Sequence, residues 1–551
     1  MKGRLGGIPR NGWMVAVLVG LLLGSLNPPA GLAAQDTGSI ETLSEPGWAR
    51  AWTPLQWTAE LPRVLPDGAV ALPDLLLWPA PRAGLFWTAG NPAALPADVE
   101  DRFSTFSVGT GGEEGEYRRP LDPEEISRIH GEAMGWRPFG GSGAAIGRVR
   151  VRRSEFRGAL SDYDLSYPGS PYVVMDTAGS DLGRTEVELE GAGGWELGPV
   201  GFGIALGYRA HQTRTLEAPV PRSLSSADPG ASVGLTWRAS PSLTLGVHGR
   251  WRNHAERVTL FTVAASSRVY RLQGYFEPPP QDLGSGGYSR RVEREGYAGG
   301  VSAGGTVFGA TWAAFAEVGT QDERQLPSSN PNLAADTWAS DALTVGASAA
   351  RALPVRNGQV SLITRMTTLS GDGGRGDLPD TVSFVADERV FQAEGELSLD
   401  ASETVRLGGR VVLRYEDRDR SDQLARVGSG VESWTTWIGV AALFRPTRRL
   451  SVSASVANGW YGAGGPIPDP TQMGRAYRRY IAPELALGAS DAAAQVGSVT
   501  ARWSVSEAVG IWARALMDRF SPSGQVVSLQ SLPEGHRNRW SVSTGVSVRR
   551  R

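Results

Sequence analysis

The chain has 551 residues, with 55 basic against 57 acidic side chains, 71 glycines, 36 prolines, 18 tryptophans and no cysteine. A formal net charge of −2 removes the electrostatic footprint of a nucleic-acid binder, and the lack of cysteine excludes a disulfide scaffold, a thiolate metal site and a lipidated N-terminal cysteine. Lys2 is the only lysine, so the arginines reflect biased usage, while the many tryptophans argue against disorder and the glycines fit close-packed strands and tight turns.

Lys2, Arg4 and Arg10 precede an apolar run from Met14 to Leu26, followed by small residues at Gly31, Ala33 and Ala34. This pattern predicts a secretory signal peptide over residues 1–34, since a run of about 13 residues falls short of the ~20 that span a bilayer. The next apolar stretch, Val70 to Trp87, is interrupted by Asp74, Arg82 and prolines at 73, 79 and 81, which rules out a spanning helix there. Residues 35–141 hold twelve prolines and no sustained period. They read as an irregular segment, a plug or a periplasmic tail, with at most one short helix near Asp122 to Ala133.

From residue 142 to 551 the pattern changes to strict alternation. Phe202, Ile204, Leu206 and Tyr208 alternate with Gly201, Gly203, Ala205 and Gly207, and the same period returns around Val233, Leu243, Leu343, Val405, Leu450 and Trp540. Short connections near 196–200, 240–241, 307–309, 353–357, 400–403, 445–448 and 505–508 alternate with long ones near 154–184, 212–229, 254–295, 321–340, 370–387, 417–431, 461–493 and 521–535. Outer-membrane barrels sort their loops by end in this way, whereas a soluble sandwich has no reason to. The expectation is therefore an all-β fold, a transmembrane antiparallel up-and-down β-barrel of about 16 strands, or 14 as the alternative, in a bacterial outer membrane with both termini periplasmic. Tyr208, Trp237, Trp251, Trp312, Trp434, Trp503 and Trp540 fall toward strand ends and fit aromatic girdles.

The alternate face carries charge. Arg148, Arg150 and Arg152 share one side of a strand, and Glu186, Glu188 and Glu190 share one side of the next. Such rows would be costly against lipid, so both are expected to face a wet lumen, with Arg148 opposite Glu190, Arg150 opposite Glu188 and Arg152 opposite Glu186. Glu394 and Glu396 stand in a similar relation to Arg406, Arg410 and Arg414. These ladders set register; with His248, Arg250, Arg252 and Arg502 they could also line a constriction that orients polar solutes.

No catalytic residues, metal site or cofactor are expected. His130, His211, His248, His254 and His536 lack the spacing of a zinc pair, and no glycine loop opens a helix as a phosphate cradle would. His211 could serve a serine hydrolase only if a serine and an orienting group met it in space.

Asn91-Pro92-Ala93, ahead of the barrel, resembles the signature near the N-terminus of the long-chain fatty acid transporter family, whose barrel holds an N-terminal plug. A longer stretch is similar to an uncharacterised outer-membrane β-barrel family common in Bacteroidota: the strand Ala144 to Arg152, Asp162-Tyr163, Pro171-Tyr172, Asp176-Thr177 and Gly203 to Tyr208. The resemblance implies fold and location, with no activity attached. The expected partners are outer-membrane lipid and the outer-membrane insertion machinery, although the last residues, Val548-Arg549-Arg550-Arg551, are not the aromatic ending that many barrels present to it. The functional expectation is a porin-like channel or transporter for a small solute; the alternative is a structural or accessory barrel that docks a surface lipoprotein or receptor.

Overall fold

The computed structural model describes residues 84–98, 102–116, 123–161, 172–216, 222–260, 268–273, 281–282, 288–327, 335–376, 378, 381–466, 478, 482, 490–506, 508–522 and 535–550. The expected signal peptide, and residues 35–83 after it, lie outside them.

The strands are β1 (Arg102–Gly115), β2 (Glu125–Phe139), β3 (Gly143–Ser161), β4 (Tyr172–Leu197), β5 (Val200–Thr215), β6 (Arg222–Ser240), β7 (Leu243–Leu260), β8 (Arg268–Gln273), β9 (Gln281–Asp282) and β10 (Tyr288–Val307). They continue with β11 (Ala310–Pro327), β12 (Asp336–Leu353), β13 (Gly358–Gly374), β14 (Val382–Asp400), β15 (Val405–Asp422), β16 (Val427–Phe444), β17 (Leu450–Gly464), β18 (Ala492–Ser504), β19 (Val509–Pro522) and β20 (Arg537–Arg550). Neighbours in sequence pair antiparallel, except that β7 passes directly to β10, while β8 pairs with the far end of β4 and with β9. β1 closes on β20, from Arg102 opposite Arg550 to Gly115 opposite Arg537. The result is a closed barrel of 18 strands, with β8 and β9 as an excursion beyond its rim.

Two sequence expectations need correction. The barrel begins at Arg102 rather than at residue 142, and the stretch expected to be helical near Asp122 to Ala133 forms most of β2. β1 and β2 add two strands to the expected 16 because each finds its partners through closure, β1 on β20 and β2 on β3. The long loops are also shorter than their composition suggests, since β15 and β16 run on until only residues 423–426 separate them. Beyond a membrane both faces of a strand are wet, so hydrophobic alternation stops while the hydrogen-bond ladder continues.

The wall has two faces. Val151, Leu206, Val233, Val247, Val301, Val318, Val440 and Val499 point outward and are exposed, while Arg148, Glu186, His248, Glu317, Glu388 and Arg410 point inward and are buried. This reverses a soluble protein, in which exposed apolar side chains are scattered rather than ordered into a belt. Outward aromatics bound the belt: Tyr208, Tyr297, Tyr415, Trp434 and Trp540 toward the long-loop end, and Phe202, Trp237, Phe444 and Trp503 toward the short-turn end. On β16, Trp434 and Phe444 are 10 residues apart. At ~3.3 Å per residue and a tilt of ~40°, that separation gives an apolar band of about 25 Å, the height of a membrane-spanning barrel wall. At the long-loop rim the carboxylate of Glu295 accepts from Tyr297 Oη at 2.6 Å and Trp251 Nε1 at 3.1 Å, which holds both rings at the level where a polar tip meets water. The opposite end is closed by tight turns; at residues 308–309 both Phe308 (φ 49°) and Gly309 (φ 74°) are left-handed, the backbone that matches the twist of a hairpin. No helix among the described residues is long and apolar enough to cross a membrane.

Candidate functional site

Inside the wall, β3 and β4 place Arg148 opposite Glu190, Arg150 opposite Glu188 and Arg152 opposite Glu186. The ion pairs measure 3.5, 3.4 and 2.7 Å. Two further residues widen this row. Glu132 of β2 lies 2.7 Å from Arg150 and 3.4 Å from Arg148, and Arg209 of β5 lies 3.3 Å from Glu186 and 3.7 Å from Glu188. Across four strands the charge therefore alternates in sign. Arg148 and Glu186 are only 3% and 1% exposed, so each depends on its partners, because an unpaired charge at that depth carries a large desolvation cost. Arg209 was visible in the sequence as the continuation of the inward series Gly203, Ala205, Gly207; Glu132 was hidden because β2 did not read as a strand.

The second group is less regular. Arg410 meets both Glu394, at 2.5 Å, and Glu396, at 3.5 Å. Arg406 reaches Asp400 at 3.2 Å, and Arg414 pairs with Glu416 on its own strand. Higher up, Arg420 binds Glu388 at 2.7 Å and Arg418 binds Glu416 at 2.7 Å.

His248, Arg250 and Arg252 follow one another on the inward face of β7. His248 Nε2 is 2.7 Å from Glu317 of β11, Arg250 is 3.3 Å from the same carboxylate, and Arg252 pairs with Asp228 of β6. Arg502 is buried on β18 and lies against Gly510. Nine strand-to-strand steps separate β18 from β7, half of the barrel's circumference, so Arg502 stands on the opposite wall.

A short segment lies along the inner face of the wall from β3 to β12, near the short-turn end. It comprises α1 (Leu85–Ala89), a 3-10 turn (Pro92–Ala94) and α2 (Leu95–Asp98). α1 packs on β10, β11 and β12, the turn on β4 to β7, and α2 on β3 and β4. Gly90 ends α1 in the left-handed region (φ 67°), and Asn91 then caps the turn by accepting from Ala93 N at 3.0 Å. Asn91 is fully buried. Its Nδ2 donates to the carbonyls of Leu235 on β6 and Val247 on β7, each at 3.2 Å. Glycine makes room for this contact: a Cβ at Gly234 or Gly246 would overlap the Asn91 amide, and one at Gly203 would overlap the Pro92 backbone. The C-terminal carbonyls of α1 are met by wall arginines, Ala89 O by Arg250 at 2.5 Å and Thr88 O by Arg365 at 3.4 Å, while the Thr88 and Ser348 hydroxyls lie 2.6 Å apart. Leu85, Phe86, Ala94 and Leu95 complete the seat against Trp136, Ile146, Ala192, Ala205 and Ala313, an apolar patch on the inner face of the wall.

His211 and Ser226 approach within 2.6 Å, both buried between β5 and β6. Glu186 stands opposite His211 in register, but its carboxylate is engaged by Arg152 and Arg209. Among the described residues no group of three or more acidic or histidine side chains is placed to hold a metal ion.

A closed antiparallel barrel, apolar outside and ion-paired inside, has the architecture of a membrane-spanning β-barrel protein. The chain belongs to the family of unknown function DUF6850, whose model matches residues 92–548. Among solved structures the chain is similar to the ferric citrate transporter FecA in its unliganded form (8% identity over 81% of this chain and 78% of that one, TM-score 0.42). It is similar also to the siderophore receptor PiuA from Acinetobacter baumannii (9%, 81% and 82%, TM-score 0.36) and to the P. putida toluene transporter TodX (10%, 84% and 92%, TM-score 0.28). These likenesses concern barrel architecture alone. No curated protein matches the chain.

Proposed function

We propose that the protein is an outer-membrane channel for small polar solutes, with both chain ends on the periplasmic side and the Leu85–Asp98 segment as its plug. The observation that carries this reading is the two-faced wall. An apolar belt bounded by aromatics needs lipid outside, and rows of buried but ion-paired arginine and glutamate suit a wet or polar lumen inside. Barrels of this strand number are wide enough for an aqueous path unless something fills them. The plug fills only part of the section, close to the short-turn end, and it is held by hydrogen bonds and an apolar seat rather than by continuous strand pairing. The Arg and Glu lining favours polar or charged solutes; a fatty-acid-like cargo would want an apolar lumen pocket. The ladder of Arg148, Arg150, Arg152, Glu186, Glu188 and Glu190, and the group of Glu394, Glu396, Arg406, Arg410 and Arg414, then act as the polar wall; His248, Arg250 and Arg252 face Arg502 across the path.

Conductance of the purified barrel in a planar bilayer tests the reading. Discrete channel openings are expected, with larger conductance when the plug is unseated by Asn91→Ala. A folded barrel that stays silent both intact and with Asn91→Ala would overturn it.

A further inference from the structure

The short-turn rim of the barrel carries its charge on one side. The four turns between β2 and β11, at residues 140–142, 198–199, 241–242 and 308–309, hold no charged side chain. The next three connect β12 to β13, β14 to β15 and β16 to β17, and they bring Arg351, Arg356, Arg406, Arg445, Arg448 and Arg449 to the edge. Two carboxylates stand among these six guanidiniums. Asp400 is taken up by Arg406 Nε at 3.2 Å and by Asn357 Nδ2 at 3.1 Å, and Glu403 lies exposed in the β14–β15 turn. Among the described residues Arg351, Arg356, Arg445, Arg448 and Arg449 make no ion pair. Backbone hydrogen bonds knit the three turns into one edge: Asp400 N donates to Arg356 O at 2.9 Å and Arg445 N to Thr404 O at 2.8 Å.

This edge adjoins the apolar belt. Arg351 shares the outward face of β12 with Leu343 and Val345, and Arg445 directly follows Phe444 of the short-turn aromatic girdle. Arg448 and Arg449 are exposed in the turn that leads into Leu450, which stands opposite Trp503 of the same girdle. The Thr447 hydroxyl accepts from Arg449 N at 3.2 Å and from Leu450 N at 3.0 Å, which fixes that turn against the wall. An arginine at the end of a lipid-facing row keeps its stem against acyl chains and its guanidinium at the level of phosphate. We infer that this arc binds the phosphates of anionic glycerophospholipid in the leaflet at the short-turn end, with Arg351 and Arg445 at the edge of the belt and Arg356, Arg448 and Arg449 just beyond. The inference rests on the membrane-barrel reading of the wall. Clusters of about four to eight basic side chains beside a membrane collect anionic headgroups in this way. A zwitterionic headgroup fits less well, because its ammonium would find only Glu403 outside the Arg406 pair. An acidic protein also fits less well, since Arg351 stands in the lipid-facing row, where headgroups already lie.

The test uses the full chain reconstituted in bilayers of phosphatidylethanolamine and phosphatidylglycerol, with retained lipid read by native mass spectrometry at low and high salt. Phosphatidylglycerol is expected to be retained preferentially, and less so at high salt. Arg351→Gln, Arg448→Gln and Arg449→Gln together should lower that preference by roughly tenfold, and the matching lysine substitutions should keep most of it, because the attraction depends on charge. Arg137→Gln, exposed beside the β2–β3 turn on the uncharged side of the rim, should leave it unchanged. Equal retention of the two lipids, a preference unaltered in the triple variant, or an equal loss with Arg137→Gln would each overturn the inference. So would displacement of the retained phosphatidylglycerol by equimolar polyglutamate, which would point to an acidic protein partner instead. Heat-modifiable gel mobility of the same samples separates the two readings: a barrel that folds and inserts without lipid preference removes only the arc, whereas a chain that never inserts removes the membrane barrel itself.

Discussion

Arg150 of β3 lies between two carboxylates, its Nε 2.7 Å from Glu132 of β2 and its Nη1 3.4 Å from Glu188 of β4. The shorter contact is to the residue that the sequence did not single out, and that changes what charge reversal should do. Arg150→Glu sets like charges on both sides, whereas Glu188→Arg disturbs Arg150 and also Arg209, 3.7 Å from Glu188. Each reversal should cost about 0.2 to 1 kcal/mol per pair broken, with the arginine change the worse of the two. The swap Arg150→Glu with Glu188→Arg restores their mutual attraction but leaves Glu132 facing a glutamate, so recovery should be partial. Urea unfolding of the four variants in liposomes checks it; strictly additive effects would show that the pair does not interact.

Orientation toward lipid has its own test. Val440 lies outward in the middle of the belt on β16, and Tyr415 lies at its rim on β15. Val440→Arg should destabilise the barrel by about 2 to 4 kcal/mol and Tyr415→Arg by no more than about 1 kcal/mol, because the cost of charge falls from midplane to interface. Equal costs at the two positions, in the same unfolding assay, would contradict the membrane placement.

The seat of the Leu85–Asp98 segment depends on the absence of side chains. Gly203→Val would place a Cβ on the Pro92 backbone while giving the strand a residue of better β-propensity. The barrel should fold and keep its heat-modifiable mobility, but the Leu85–Asp98 segment should become sensitive to protease added from the short-turn side. Asn91→Ala should act in the same direction and cost about 1 kcal/mol, since the Leu235 and Val247 carbonyls lose their buried donor. Protection unchanged in both variants would show that neither contact holds the segment.

Because the chain has no cysteine, single introduced thiols report topology cleanly. Gln423→Cys, in the connection between β15 and β16, should react with an impermeant maleimide on intact cells. Val355→Cys, exposed in the short connection between β12 and β13, should react only after the envelope is opened. The reverse labelling would turn the barrel over.

The sequence by itself determined the strands whose two faces differ. In β5 the alternation of Phe202, Ile204, Leu206 and Tyr208 with glycine and alanine could be satisfied only by a wall with lipid on one side, and a period of 2 leaves no choice about which residues share a face. Two rows of opposite charge at the same period, Arg148 to Arg152 and Glu186 to Glu190, admit one register that pairs every rung, and β3 and β4 adopt it. Tertiary structure alone decided the rest. β1 and β2 carry glycines, prolines nearby and a weak apolar face, and they became strands because the seam needed them: β1 pairs with β20, more than four hundred residues away in the chain, and no local pattern encodes such a pairing. The seat of the Leu85–Asp98 segment was equally hidden. Gly203, Gly234 and Gly246 look in sequence like any other strand glycines, and only when three separate strands lie side by side do they form the hollow that Asn91 and Pro92 enter. Periodicity records the solvent on each side of a strand, which is a local property; closure and docking depend on which distant surfaces meet, and only the assembled wall brings them together.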